Sequence, residues 1–148
     1  FTKSEYARTH PAGQLGRNLL FNVNDVMHPL SEIALVFSDT LISDLVIEMT
    51  KHPLGAACVV REGKLLGIVT DGDLRRSLME NKNLLNMTAK QIMNAEPKTI
   101  DPSLSLGEAL SVMEEGSKQI SVLPVAEPGQ DKIMGLLRLH DIYSTGHK

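Results

Sequence analysis

The sequence predicts an α+β fold: two β-α-β-β-α repeats packed sheet to sheet about a pseudo-two-fold axis. Three observations lead there. Paired landmarks recur in the same order in the two halves: Met27 with Met93, Met49 with Met113, Gly67 with Gly135, and Asp73 with Asp141. Their spacing drifts by only a few residues, the mark of an internal repeat. Each half also passes through helical and then strand periodicity in the same sequence. Finally, aromatics make up only 3% of the 148 residues against 42% apolar residues in all, so the core is aliphatic. A repeat this small buries little surface alone, and two copies sharing one core solve that problem.

The elements follow in chain order. Residues 1–21 read as a leader or junction, with a flexible, basic stretch from Tyr6 to Arg17. Residues 22–80 form the first repeat. A brief strand is expected at Ile33 to Phe37. A helix follows, with Leu41, Ile42, Leu45, Val46 and Met49 on one face and Asp39 or Thr40 as its N-cap. The apolar run Ala56 to Val60, a turn at Glu62-Gly63-Lys64 and the run from Leu65 to Gly72 read as a hairpin. A closing helix covers Leu74 to Met79. The polar, Asn-rich stretch 81–90 reads as a linker.

Residues 91–146 form the second repeat. A strand is expected near Lys98 to Ile100. Leu106, Ala109, Leu110 and Met113 make the matching helix face, with Ser105 and Glu108 as a capping box. Ile120 to Val125, a turn at Pro128-Gly129-Gln130 and Ile133 to His140 make the second hairpin. A shorter helix follows Asp141.

Composition excludes several function classes. The formal net charge of -3, with no Trp and few other aromatics, gives neither the basic footprint nor the stacking platforms of a nucleic-acid binder. No apolar run approaches bilayer length and no signal peptide is visible, so no membrane role is expected and the cytoplasm is the default compartment. Cys58 lies in an apolar run and reads as a small buried hydrophobe. The histidines lack metal-ligand spacing, so no metal is expected. His28, His52 and His147 read as surface or supporting residues. No nucleophile elbow, Walker loop or paired catalytic carboxylates occur. A chain that opens on Phe1 suggests an excerpt from a longer protein.

The strongest chemical signal is Gly67-Ile68-Val69-Thr70-Asp71-Gly72-Asp73, which runs from a strand into a helix. Unpaired N–H groups at a helix start attract anions. Gly72 lets a ligand approach the backbone. The Thr70 hydroxyl can donate to a phosphate oxygen, and the Asp73 carboxylate can accept both hydroxyls of a vicinal diol such as ribose. Arg75 and Arg76 follow within reach of phosphates. Thr70-x-x-Asp73 is equally a capping box that only starts a helix, and the two roles are compatible. In the second repeat Gly135 and Asp141 persist, but Arg138 replaces the hydroxyl residue. Arg138 either supplies charge to a phosphate or fills the cleft. Two clefts related by the pseudo-axis are expected between the repeats, where small ligands usually bind.

The doubled unit with Gly67-Ile68-Val69-Thr70-x-x-Asp73 resembles the tandem CBS domain pair, or Bateman module, over roughly residues 22 to 146. The resemblance implies that Thr70 and Asp73 contact the phosphate and ribose of an adenosine nucleotide of AMP or ATP type. Asp141 carries over alone, because Arg138 departs from the Ser or Thr pattern. Thr70-Asp71-Gly72-Asp73-Leu74-Arg75-Arg76, with Tyr6-Ala7-Arg8-Thr9-His10-Pro11-Ala12-Gly13-Gln14-Leu15-Gly16-Arg17, is similar to the arabinose-5-phosphate isomerase family. Ala12 replaces a glycine of that family's junction. Members join an N-terminal sugar isomerase (SIS) domain to a C-terminal CBS pair. They interconvert ribulose 5-phosphate and arabinose 5-phosphate on the route to Kdo for lipopolysaccharide. The resemblance makes His10 a candidate active-site residue of the full-length parent and its SIS domain the module's partner. It makes these 148 residues a non-catalytic regulatory part. It also makes CMP-Kdo, the downstream activated sugar, a candidate ligand beside AMP- or ATP-type nucleotides. No cofactor is implied. A homodimer through Leu74, Leu78 and Met79 is expected; the alternative function is a purely structural oligomerisation module with no ligand.

Overall fold

A computed structural model describes residue 16, residues 18–116 and residues 120–144. The first repeat runs α1 (Val23–Val26), β1 (His28–Pro29), a 3-10 turn (Leu30–Glu32), β2 (Ala34–Val36), α2 (Ile42–Lys51), β3 (Ala56–Arg61), β4 (Lys64–Thr70) and α3 (Asp71–Glu80). The second runs from a 3-10 turn (Leu84–Asn86) through α4 (Ala89–Ile92), α5 (Leu106–Glu114), β5 (Val122–Ala126) and β6 (Ile133–Arg138) to α6 (Leu139–Ser144). Helix α2 buries Ile42, Leu45 and Met49, and α5 buries Leu106, Ala109, Leu110 and Met113. All four residues expected on the α5 face are buried, but only three of the five expected on α2: Leu41 and Val46 stand 40% and 39% exposed, and Leu41, not Asp39 or Thr40, is the N-cap, with no side-chain cap bond. The Ser105–Glu108 capping box closes in both directions.

Both hairpins form. Glu62 and Gly63 both take positive φ (52° and 79°), as a two-residue turn between β3 and β4 requires. Each hairpin carries a register break at the same place in the repeat, between Val59 and Val60 and between Val125 and Ala126. Strand β2 lies parallel to β3, with Leu35 opposite Cys58. Its expected counterpart near Lys98 to Ile100 shrinks to a single parallel bridge between Ile100 and Val125. Proline explains the difference. The Ile100 N–H donates to the Pro124 carbonyl and the Ala126 N–H to the Ile100 carbonyl; the next donors on either side would be the N–H groups of Pro124 and Pro102, which proline lacks, so the ladder stops.

The sheets are β2-β3-β4 and β1-β6-β5. Strand β1 belongs to the first repeat by sequence but pairs antiparallel with β6 of the second, His28 opposite Leu136 and Pro29 opposite Gly135. The reciprocal crossing occurs on the other side. There Asn94 bridges Ile68 of β4, with N–H donated each way at 2.9 and 3.0 Å. The two strand glycines sit beneath these crossings. A Cβ on Gly135 would lie 2.5 Å from Met27 Sδ and 2.7 Å from the His28 carbonyl oxygen; on Gly67 it would lie 2.6 Å from Met93 Sδ and 2.7 Å from the Asn94 carbonyl oxygen. Only glycine leaves room for the crossing backbone.

Alternation along β3 divides the core. Ala57 and Val59 pack with Ala34, Val36, Ile42, Leu45 and Val69 under the first repeat's helices. Ala56, Cys58 and Val60 face the opposite way and meet Ile33, Ile68, Ile133 and Leu136 between the two sheets. The second repeat has its own cluster around Leu106, Leu110, Met113, Leu123, Leu137 and Ile142, capped by Val23 from the first. Cys58 is fully buried and burial pushes its thiol up to about 12, so it packs as an apolar side chain. The stretch 81–90 contributes buried Leu84 and Ala89 to the first cluster. Of the three residues expected to meet a second copy, Leu74 packs against this chain's own first cluster, whereas Leu78 and Met79 stand 65% and 89% exposed.

Candidate functional site

Strand β4 ends at Thr70, and α3 starts immediately after it. The Asp73 N–H donates to Thr70 Oγ1 at 3.2 Å, and the Thr70 N–H donates to Asp73 Oδ2 at 2.9 Å. The capping role is therefore real. It leaves the Thr70 hydroxyl proton and the second Asp73 oxygen for other work, although Arg76 already donates to Asp73 Oδ1. The Asp71 N–H donates to the Gly55 carbonyl at 3.0 Å, which fixes the helix start against the loop before β3.

This helix start heads a cleft of about 640 Å³ between the repeats. Thr70, Asp71, Gly72, Asp73, Arg75 and Arg76 form its polar end. Its apolar walls come from Leu54 and Ile68 on one side and Pro97, Ile120, Val122 and Pro124 on the other. Asn94, Lys98, Ser121, Arg138 and His140 add polar groups from the second repeat. A cleft lined by both apolar side chains and guanidinium groups can accept a flat base together with an anionic tail. Arg138, the residue that replaces the hydroxyl of the repeat, thus shares the cleft of Thr70 and Asp73.

Asp141 is placed differently. It is 8% exposed and does not line that cleft. Its carboxylate accepts the Arg138 backbone N–H at 2.9 Å and the Arg138 guanidinium at 3.0 and 3.3 Å. His28 Nε2 lies 3.1 Å from Asp141 Oδ1, while His28 Nδ1 lies 2.7 Å from Glu32 Oε1. Burial by itself would raise the Asp141 pKa. The hydrogen bonds from Arg138 and His28, with the His28 charge, outweigh it and hold the carboxyl below its ordinary value. Asp141 is thus fully engaged within the fold, across the β1 crossing.

His10 lies outside the described residues. Asn94, Lys98 and the Ile120–Val122 stretch are site residues that the motif alone did not reveal; they reach the cleft through the crossing of the second repeat. Of the two roles expected for His28, the supporting one holds: it bridges Glu32 and Asp141. Among the described residues, no group of three or more His, Cys, Asp or Glu side chains is arranged to hold a metal ion. No helix among them is long and apolar enough to cross a membrane.

The family profile of the CBS domain matches residues 23–80 and again residues 89–147. Arabinose 5-phosphate isomerase KdsD of Pseudomonas aeruginosa is 39% identical over 147 residues, and KdsD of Escherichia coli K12 is 33% identical over 147 residues. Both alignments take in 99% of this chain but only 44% of the relative, so the chain spans less than half the length of the relatives it matches. Among solved structures, an uncharacterised conserved protein from Pyrococcus horikoshii superposes with a TM-score of 0.75 at 21% identity, over 88% of this chain and 95% of that one. The CBS domain pair of MJ0100, in complex with 5'-methylthioadenosine and S-adenosylmethionine, gives 0.72 at 24% identity, over 83% and 93%. CBSX2 in complex with AMP gives 0.68 at 21% identity, over 82% and 92%. These structural likenesses establish the tandem fold.

Proposed function

The chain belongs to the CBS domain family, and from that premise we propose that it is a regulatory module that binds a nucleotide or nucleotide-sugar in the cleft headed by Thr70 and Asp73. The observation that carries this is the union of both repeats around one motif: apolar walls opposite a helix start with Thr70, Asp73, Arg75 and Arg76. On this reading Asp73 receives the ribose diol, Thr70 and the α3 N-terminus the phosphate, and Arg75, Arg76 and Arg138 the remaining negative charge. That the MJ0100 pair and CBSX2 hold adenosine compounds supports an adenosine nucleotide of AMP or ATP type. CMP-Kdo is the second candidate, because it offers a ribose diol, a phosphate and a carboxylate.

The relatives named arabinose 5-phosphate isomerase support a parent protein that interconverts ribulose 5-phosphate and arabinose 5-phosphate on the route to Kdo and lipopolysaccharide. In that parent the module regulates an SIS isomerase domain in the cytoplasm, and His10 belongs to the isomerase site. The 148 residues themselves are non-catalytic.

A ligand at about 100 times its dissociation constant stabilises the fold by roughly 2.7 kcal/mol. Thermal shift with AMP, ATP and CMP-Kdo is the test. Asp73→Ala should remove most of the shift while costing the unliganded fold about 1 kcal/mol. A second reading has one observation behind it: Thr70 and Asp73 already complete a reciprocal cap with each other. If they serve only to start α3, the module is structural. Asp73→Ala then lowers stability, and no nucleotide shifts either protein.

A further inference from the structure

The cleft reading leaves the ligand's charge open, and the inference that follows rests on that reading. The chain carries a formal net charge of -3, yet the cleft presents Arg75, Arg76, Lys98 and Arg138 against Asp71 and Asp73, with Asp141 paired to Arg138 from outside the cleft. The excess cation is local and is divided between two walls. On the first, two guanidinium groups turn over Gly72: a Cβ there would lie 3.5 Å from Arg76 Nη1, 3.9 Å from Arg75 Nη2 and 3.8 Å from Thr70 Oγ1. Three donors thus converge on the space that the missing side chain leaves at the helix start, which makes one anion position.

On the second wall stands Arg138, at the end of β6. Asp141 takes its Nε and Nη2. No described residue takes Nη1, and in the proposed subsite it is the end that meets a ligand. Asp141 lies outside the cleft and His28 braces it from behind. The guanidinium is therefore oriented without a carboxylate intruding on the ligand's space, and a pre-set donor loses less entropy on binding an anion.

We propose that Arg138 forms a second anion subsite across the cleft from Gly72, so that the module selects nucleotides with two anionic groups over nucleoside monophosphates. Asp141 and His28 are positioning residues for it. The ligand class this favours is a nucleoside diphosphate, or a nucleotide carrying a further phosphate or carboxylate.

Calorimetric titration of the 148-residue chain with AMP, ADP, CMP and CDP in metal-free buffer tests this. The diphosphate of at least one base should bind about tenfold more tightly than its monophosphate, the size of one charge-assisted contact. Arg138→Gln should erase that preference, weakening diphosphate binding about tenfold and monophosphate binding by less. Arg138→Lys keeps a cation but loses the fork that Asp141 orients, and should lower the preference without erasing it. It carries the test if the glutamine variant does not fold. Equal affinity for mono- and diphosphate in the parent chain would overturn the second subsite and leave the cleft reading standing. So would an undiminished preference in the glutamine or the lysine variant. No binding of any of the four, nor of ATP or CMP-Kdo, would overturn both.

Discussion

Asp73 and Asp141 occupy the same position of the repeat and have opposite surroundings. Asp73 caps α3 at the mouth of a cleft, while Asp141 is sealed against Arg138 and His28. The sealed network stabilises the fold only while Asp141 is ionised. Its carboxyl is held below the ordinary value in the folded chain, so that stability is present at neutral pH and above the unfolded-state value. It is lost as the pH falls through the lower, folded value. Asp141→Asn should therefore cost about 2 kcal/mol at neutral pH, with the gap to the parent chain narrowing in acid. Urea unfolding at neutral and acidic pH reads this, and a pH-independent gap would show that the charge is not what matters. The sequence made Asp141 visible as the partner of Asp73 but not its fate. That fate depends on His28, more than a hundred positions away and brought close only by the β1 crossing.

At the level of elements, the two strand glycines are the least replaceable small residues. Gly67→Ala and Gly135→Ala each force a Cβ against the crossing Met sulfur and a backbone carbonyl, and should cost about 2 kcal/mol. Shortening Met93 to Ala in the Gly67→Ala background should recover only part of that, because the Asn94 oxygen remains. Chemical denaturation of the single and double variants measures it, and full recovery would place the whole strain on the sulfur. The same crossings mark the limit of what could be read in advance. The helices and hairpins were legible because their apolar residues repeat with period 3.6 or 2, and the cap at Thr70 because it is local. A two-residue strand such as His28–Pro29 has no period to detect. Its one trace was the glycine facing it, since glycine inside a strand marks a close backbone approach. Asn94, Lys98 and Ile120 to Val122 escaped for the same reason. They join Thr70 only through that exchange.

For the whole molecule, neither repeat completes its own surroundings. Val23 of the first plugs the second cluster, and Leu84 and Ala89 plug the first. The chain should therefore unfold in one transition, and two resolved transitions would contradict the interlock. If copies also pair through exposed Leu78 and Met79, the melting midpoint should rise with protein concentration; a constant midpoint would exclude the homodimer. The exchange of β1 also sets an order in time. Strands β2 to β4 span Ala34 to Thr70 and can assemble from neighbouring chain, whereas His28–Pro29 has no partner until β6 exists. During synthesis the first repeat can therefore condense early, while the segment before it waits for nearly the whole chain. Closing so long a loop is entropically slow, so the last native contacts to form are the ones that bind the repeats into a single body.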